Sequence, residues 1–214
     1  MPIQRSRIFH AVIAALWVVV IAVGIFQLWK YESTPSVAGH SPVSWPVEST
    51  VNRSTDLPTL LVLVHPRCAC SQATIGELAK LMTECEGKLA TTVLVVRPTG
   101  FAPGWEKSDL WNSAAAIGGV TMLTDTDGIE SRRFGVETSG EALLFSPDGQ
   151  LLFAGGITES RGHMGDNAGR STIAALVTGT HSTDHISATS VFGCSLFDQA
   201  SPPPAKGKQA WYGN

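Results

Sequence analysis

Charged side chains are scarce in this 214-residue sequence, and neither sign predominates strongly. Only 15% of the residues are charged, the formal net charge is −3, and the mean hydropathy is +0.13. A chain this apolar is not intrinsically disordered, because disorder requires low hydrophobicity combined with high charge. The lack of a basic excess excludes a generic nucleic-acid-binding protein, because such proteins attract phosphates with clustered lysine and arginine.

Several catalytic and ligand-binding motifs are absent or incomplete. The stretch 161–170, with the sequence RGHMGDNAGR, lacks the Gly-Lys-Ser/Thr ending of a phosphate-binding loop. The stretch 125–128, DTDG, begins like a calcium loop but does not complete its ligand pattern. We therefore interpret the first stretch as a capped loop and the second as a turn. No internal repeat and no Ser-His-Asp order stands out.

Charge is missing altogether from residues 11–29, an apolar stretch in which Gln27 is the one strongly polar residue. As a helix it would span roughly 28 Å, about the thickness of the hydrocarbon core of a membrane. Arg5 and Arg7 precede it, and residues 1–30 contain no acidic side chain. This pattern predicts a single-pass anchor over residues 1–30 in the inner membrane, with the rest of the chain on the periplasmic or extracytoplasmic side.

A cleaved signal peptide is the alternative interpretation of the same segment. Its apolar region would normally have only about 7–15 residues, although residues 36–38 (Ser-Val-Ala) resemble a small-residue cleavage site. The length of the apolar stretch favours a retained anchor. Both interpretations export the remainder of the chain.

The exported part divides by composition into three regions. Residues 31–57 are rich in Ser, Thr, Pro and Val without a persistent period, which predicts a flexible linker. Residues 58–179 alternate apolar runs with amphipathic stretches and form the predicted domain. Residues 180–214 are rich in Ser and Pro and form a predicted C-terminal tail, with an apolar patch at Val191, Phe192 and Leu196.

The predicted domain belongs to the α/β class. Residues 59–64 predict a strand buried on both faces, and residues 68–84 predict a helix with an apolar stripe. Further strands are predicted at 89–96, 119–124, 141–145 and 150–154, and further helices at 108–117, 129–133 and 166–178. The order predicts a central mixed sheet flanked by helices, in which a parallel β-α-β unit is followed by an antiparallel hairpin.

All four cysteines lie in the exported part, where disulfides can form. Cys68 and Cys70 fall where the buried strand turns into a helix N-terminus. Unpaired N–H groups at such an end carry roughly +0.5 charge and stabilise a thiolate. This position predicts Cys68 as the attacking thiol and Cys70 as the resolving thiol, assisted by Arg67 if its guanidinium points inward. Cys85 is interpreted as a buried helical cysteine, and Cys194 either pairs with it or approaches Cys70 as a third redox thiol.

This strand, cysteine pair and helix, followed by a β-α-β unit and a terminal hairpin and helix, resemble the thioredoxin-like superfamily. The similarity covers roughly residues 58–178 and is greatest to membrane-anchored extracytoplasmic members of the RedB type. It implies a thioredoxin-like fold, no cofactor, and thiol–disulfide exchange with protein thiols or disulfides near the membrane. The chain departs from the family in its Cys-x-Cys spacing, in Arg67 for the usual Trp, in Val62 for a buried acid, and in Gly140 for the cis-proline beside the cysteines.

Copper binding is the alternative function for the same cysteines. Cys68 and Cys70 are soft ligands suited to Cu(I), and His163 with Met164 precedes the last predicted helix. Some copper-delivering proteins of the thioredoxin fold use two cysteines and a distal histidine, and the chain is similar to them in this respect. Under this alternative, Cys68, Cys70 and His163 bind copper.

Overall fold

The computed structural model of the chain describes residues 2–180 and 186–197, with side chains from residue 7 onward. The chain divides into two compact units between Thr34 and Pro35. The first unit is a single helix, α1 (Pro2–Ser33). Its part Arg7–Ser33 has 27 residues and a mean hydropathy of 2.7, and is long and apolar enough to cross a membrane.

The second unit is a mixed α/β domain. Its described elements are β1 (Thr59–Val64), α2 (Ser71–Glu84), β2 (Ala90–Arg97), α3 (Asp109–Ala115), β3 (Val120–Thr126), α4 (Ile129–Arg133), β4 (Glu141–Phe145), β5 (Leu151–Gly156), α5 (Ala168–Thr178) and β6 (Ser187–Ala188).

The strands form one sheet in the order β3-β2-β1-β4-β5-β6. Strands β1, β2 and β3 are parallel, β4 is antiparallel to β1, β5 is antiparallel to β4, and β6 runs parallel to β5. The predicted mixed sheet flanked by helices is thereby confirmed. The central position of β1 places its C-terminal end, where the two predicted site cysteines follow, in the middle of the sheet edge.

Strand β1 is buried on both faces, which explains why its sequence lacks polar alternation. Leu60, Val62 and Val64 pack in the core that also contains the apolar residues of α2 and α5. Leu61 and Leu63 belong to a second core on the opposite face of the sheet.

The segment that the composition predicts to be a flexible linker contributes to this second core. The ring of Trp45 lies edge-on to Phe134 and Phe145, at centroid distances of 4.9 and 5.1 Å. Val51 is 5% exposed, and the Trp45 N–H donates to the Gly149 carbonyl. Because the sheet is apolar on both faces, residues between Pro35 and the first strand supply part of its cover.

The described part of the predicted tail, residues 186–197, also lies on the domain. Residues 187–188 form the edge strand β6, and Val191, Phe192 and Leu196 are buried at 1%, 9% and 3% exposure. Burial of these three apolar side chains fixes the chain on either side of Cys194. The rest of the predicted tail, residues 181–185 and 198–214, lies outside the described residues.

Candidate active site

The site begins at the turn between β1 and α2. The Cys68 N–H donates to the His65 carbonyl at 3.1 Å, and the Ser71 N–H donates to the Cys68 carbonyl at 3.1 Å. Helix α2 starts at Ser71 with Cys70 as its N-cap, three residues later than the sequence predicts. Cys68 therefore lies in the turn that precedes the helix.

Three thiols meet at this turn. The Sγ atoms of Cys68, Cys70 and Cys194 all lie within 4.8 Å of one another, and the Cys68 and Cys194 sulfurs are 3.0 Å apart. Cys68 is 3% exposed, whereas Cys70 and Cys194 are half-buried. Cys85 is not in this group; it is buried at the C-terminal end of α2, as predicted.

Backbone pairing places Cys194 beside Cys68. The Ser139 N–H donates to the Cys194 carbonyl at 2.8 Å, and the Leu196 N–H donates to the Glu137 carbonyl at 2.8 Å. Thr138 and Ser195 form an antiparallel bridge between these two bonds. Residues 194–196 thus run as a short antiparallel strand along residues 137–139.

Arg161 and Ser36 hold the residue before Cys194. The Arg161 guanidinium donates to the Gly193 carbonyl and, at 2.8 Å, to the Ser36 hydroxyl. The Gly193 N–H donates to the same hydroxyl at 3.1 Å. A Cβ on Gly193 would lie 1.8 Å from the Ser139 carbonyl oxygen, so this close approach of the two backbones requires glycine.

The contact with Cys194 controls the charge of Cys68. The hydrogen bond between the Cys68 and Cys194 sulfurs is the largest cause that lowers the pKa of Cys68 to about 4. Burial opposes the shift, and hydrogen bonds from Ser71 add to it. The same hydrogen bond raises the pKa of Cys194, with burial as the next cause. This contact favours the thiolate form of Cys68.

Cys70 has the opposite character. Burial raises the pKa of the Cys70 thiol, and the negative charge of Cys68 raises it further. The positive charge of Arg161 opposes both effects. Cys70 therefore stays protonated as long as Cys68 carries the charge.

Arg67, the predicted helper cation, points elsewhere. Its guanidinium carbon lies 5.2 Å from the centre of the Trp105 ring, and Trp105 also contacts His65 and Phe101 edge-on or tilted. The cation whose charge acts on the thiol group is Arg161, which the sequence places in a loop 91 residues after Cys70. Only the fold brings that loop to the cysteines.

Gly140, at the position where the resemblance places a cis-proline, requires glycine. Gly140 has φ = +94°, its N–H donates to the Leu63 carbonyl at 2.7 Å, and a Cβ there would lie 2.8 Å from the Thr74 hydroxyl oxygen. Proline would lose the N–H and cannot adopt this φ. The preceding Ser139 accepts a 2.7 Å hydrogen bond from the His65 N–H and so ties this loop to the cysteine turn.

His163 is not in the group of residues whose ligand atoms lie within 4.8 Å of one another. Its Nδ1 lies 2.8 Å from the Arg161 carbonyl oxygen, and the side chain is exposed. Met164 lies beside Gly76 of α2, whose added Cβ would meet the Met164 sulfur at 2.1 Å. The third soft ligand atom near Cys68 and Cys70 belongs to Cys194.

Comparison with known proteins gives similarity of structure alone. No family model and no curated protein matches the chain. A hypothetical protein from Sinorhizobium meliloti 1021 has 16% identity and a TM-score of 0.52, over 77% of this chain and 96% of that one. An uncharacterised conserved protein from Geobacillus kaustophilus has 16% identity and a TM-score of 0.54, over 79% and 97%.

A secreted Mycobacterium tuberculosis disulfide oxidoreductase, described as homologous to E. coli DsbE, is also similar, with 15% identity and a TM-score of 0.42 over 59% of this chain and 83% of that one.

The sheet order of the domain and its cysteine turn between the central strand and α2 agree with the predicted fold. The chain has a thioredoxin-like fold. Its N-terminal apolar helix fits a membrane anchor.

The sequence leaves the role of Cys194 open and does not indicate that Arg161 belongs to the site. The signal for Cys194 was weak but present, because apolar residues at 191, 192 and 196 flank it within a Ser- and Pro-rich stretch. Such a patch indicates that the segment is buried. For Arg161 the sequence offered no signal, since its partners Ser36 and Gly193 are both distant along the chain.

A buried carboxyl group follows Gly140. Glu141 is 2% exposed, and burial raises its pKa to about 7. The Gly39 N–H, which donates to the carboxylate, opposes this shift, and the charge of Glu137 adds to it. Because the folded state binds the proton more tightly than the unfolded state, this group stabilises the fold at low pH, and its contribution is lost as the pH rises through about 7.

We therefore expect Glu141→Gln to raise the free energy of unfolding at pH 8 relative to the wild type and to have little effect at pH 5. The expected difference at pH 8 is roughly 3 kcal/mol at most, from about 1.4 kcal/mol per pK unit. Urea unfolding of the full-length protein in detergent at both pH values measures it. Equal pH dependence in the two proteins would contradict the assignment.

Proposed function

We propose that the protein is a membrane-anchored, extracytoplasmic thiol–disulfide oxidoreductase in which Cys68 is the attacking thiolate. The observation that carries the proposal is the group of three thiols at the cysteine turn, in which Cys68 has a strongly lowered pKa. A thiolate is the reactive form in disulfide exchange, and two further thiols are within reach to complete the reaction.

The reaction follows from this charge distribution. The Cys68 thiolate attacks one sulfur of a substrate disulfide, forms a mixed disulfide, and releases the other sulfur as a thiolate. A neighbouring thiol of the protein then attacks Cys68, which releases the reduced substrate and leaves an intramolecular disulfide. The sequence predicts Cys70 for this second step. A thiol or dithiol donor returns the protein to its reduced state.

Access to Cys68 limits which substrates react. Only 3% of Cys68 is exposed, and Cys194 lies against its sulfur. A substrate disulfide therefore reaches Cys68 when the Cys194 side chain turns away from the Cys68 sulfur. Helix α1 would keep the domain at the membrane surface, so we expect its partners to be protein thiols or disulfides in that layer.

The proposal is tested with the double variant Cys70→Ser/Cys194→Ser, purified at full length in detergent. It keeps Cys68 as the one thiol of the group, and a serine at 194 retains a hydroxyl donor. We expect the reduced variant, mixed with glutathione disulfide, to form a stable mixed disulfide at Cys68 while Cys85 stays unmodified. We also expect the wild type to accelerate insulin reduction by dithiothreitol. Glutathione at Cys85 alone, or no acceleration, would contradict the proposal.

Copper binding is the second candidate function, and the three soft sulfur atoms within 4.8 Å favour it. Cys68, Cys70 and Cys194 would supply the ligands, whereas the sequence predicts His163 in place of Cys194. Titration with Cu(I) against a chromogenic chelator decides between Cys194 and His163 as the third ligand. One equivalent of tightly bound copper that is lost in Cys194→Ser and kept in His163→Ala supports a three-thiolate site.

A further inference from the structure

The C-terminal segment around Cys194 is bound as an extended peptide beside the reactive cysteine. Residues 194–196 pair antiparallel with residues 137–139 through two 2.8 Å backbone hydrogen bonds. Val191 and Leu196, which lie before and after Cys194 in the chain, are both buried. This pairing delivers the Cys194 sulfur to 3.0 Å from the Cys68 sulfur.

We propose that Cys194, rather than Cys70, is the resolving thiol, so that the redox disulfide of this protein joins Cys68 to Cys194. This inference rests on the proposed exchange function. It assigns a catalytic role to a residue 126 positions away from Cys68 and makes the C-terminal segment part of the active site.

The local geometry disfavours Cys70 in this role. Cys68 and Cys70 are separated by one residue, and the backbone bonds that Ser71 and Ala73 make to their carbonyls hold both in one tight turn. A disulfide needs Cβ atoms about 3.5–4.5 Å apart with a torsion near 90°, which a ring this small meets only with strain. Cys194 approaches from a separate segment and is free of this restriction.

The position of Cys194 also suits the second step of the reaction. Its sulfur lies 3.0 Å from the Cys68 sulfur in the reduced protein, so it is within reach of Cys68 when the mixed disulfide forms. The Arg161 guanidinium donates to the Gly193 carbonyl, and the Gly193 N–H donates to the Ser36 hydroxyl, so the residue before Cys194 is held in place.

In the resolving step, the disulfide between Cys68 and the substrate is exchanged for a disulfide between Cys68 and Cys194. Cys194 gives its proton to the solvent or to the departing thiolate, and its sulfur attacks the Cys68 sulfur. The bond between Cys68 and the substrate sulfur breaks, and the bond between Cys68 and Cys194 forms. The substrate disulfide gains two electrons from Cys68 and Cys194, and its two sulfurs take up one proton from Cys194 and one from the solvent. A dithiol reductant supplies the electrons that restore Cys68 and Cys194.

The first test maps the disulfide of the oxidised protein. The full-length protein in detergent is oxidised with glutathione disulfide, its remaining thiols are alkylated, and its peptides are analysed under non-reducing conditions. We expect a peptide pair joined between Cys68 and Cys194, with Cys70 and Cys85 alkylated. A bond between Cys68 and Cys70 would overturn the inference.

The second test measures how long the mixed disulfide lasts in single variants. We expect glutathione to remain on Cys68 at least about 100-fold longer in Cys194→Ser than in Cys70→Ser. Thermal unfolding checks that both variants are folded. Slow resolution in Cys70→Ser and fast resolution in Cys194→Ser would overturn the inference while leaving the exchange function intact. A wild type that never forms a mixed disulfide at Cys68 would contradict the exchange function itself.

Discussion

We expect replacing Cys68 with serine to lower the rate of the proposed disulfide exchange at least about 10³-fold, the scale of loss expected when a nucleophile is removed. The Cys68 thiolate is the charged sulfur of the group, held by hydrogen bonds from Cys194 and Ser71. A serine hydroxyl remains protonated at neutral pH and cannot form a disulfide. The measurement is the initial rate of insulin reduction with dithiothreitol as the electron donor.

Cys85→Ser is the matched control for this prediction. Cys85 is also a buried cysteine, but it lies at the far end of α2 and outside the thiol group. We expect its replacement to leave the rate within about twofold of the wild type, provided that unfolding curves show both variants to be folded. Equal losses in Cys68→Ser and Cys85→Ser would indicate damage to the fold, and full activity in Cys68→Ser would refute its role as the nucleophile.

We expect replacing Glu77 with alanine to lower the free energy of unfolding by about 3–5 kcal/mol, the usual cost of removing one partner of a buried ion pair. Glu77 is completely buried in α2, and its carboxylate lies 2.9 Å from the Arg170 guanidinium and 2.7 Å from the Lys80 ammonium group. It also accepts hydrogen bonds from the Gly165 N–H at 2.9 Å and the Asn167 amide at 3.2 Å. Alanine leaves these donors without their acceptor.

Glu84→Ala serves as the control for this stability change. Glu84 also pairs with Arg170, at 3.1 Å, but 48% of its side chain is exposed. An ion pair so open to solvent contributes at most about 1 kcal/mol, so we expect a small loss. Urea unfolding compares the two variants, and similar losses would show that the burial of Glu77 does not increase its contribution to stability.

Glu77 also binds the loop that follows Arg161, through the Gly165 N–H and the Asn167 amide. We therefore expect Glu77→Ala to weaken the hydrogen bond from Arg161 to the Gly193 carbonyl.

The elements around the site were predictable because their signals are local. The unbroken apolar run of β1 predicts a strand covered on both faces, and the stripe of α2 predicts which side faces the sheet. The turn residues Ser146 to Gly149 predict the hairpin between β4 and β5. These patterns depend on neighbouring residues along the chain, so the sequence contains them in full.

The electrostatics of the site were only partly predictable. A lowered pKa for Cys68 was expected from the positive end of a helix and from Arg67. In the structure the lowered pKa has another main cause, the hydrogen bond from Cys194, and Arg67 lies over Trp105. The direction was correct, but its cause comes from a residue that no local pattern connects to the turn.

The sequence alone determined the apolar N-terminal helix and the mixed α/β domain, and it predicts Cys68 and Cys70 as site cysteines, because hydropathy, periodicity and close spacing are properties of consecutive residues. The tertiary structure decided that the third sulfur beside them belongs to Cys194 and that the nearby cation is Arg161. Backbone pairing and burial of side chains between distant segments made those choices, and such contacts leave no periodic trace in the sequence.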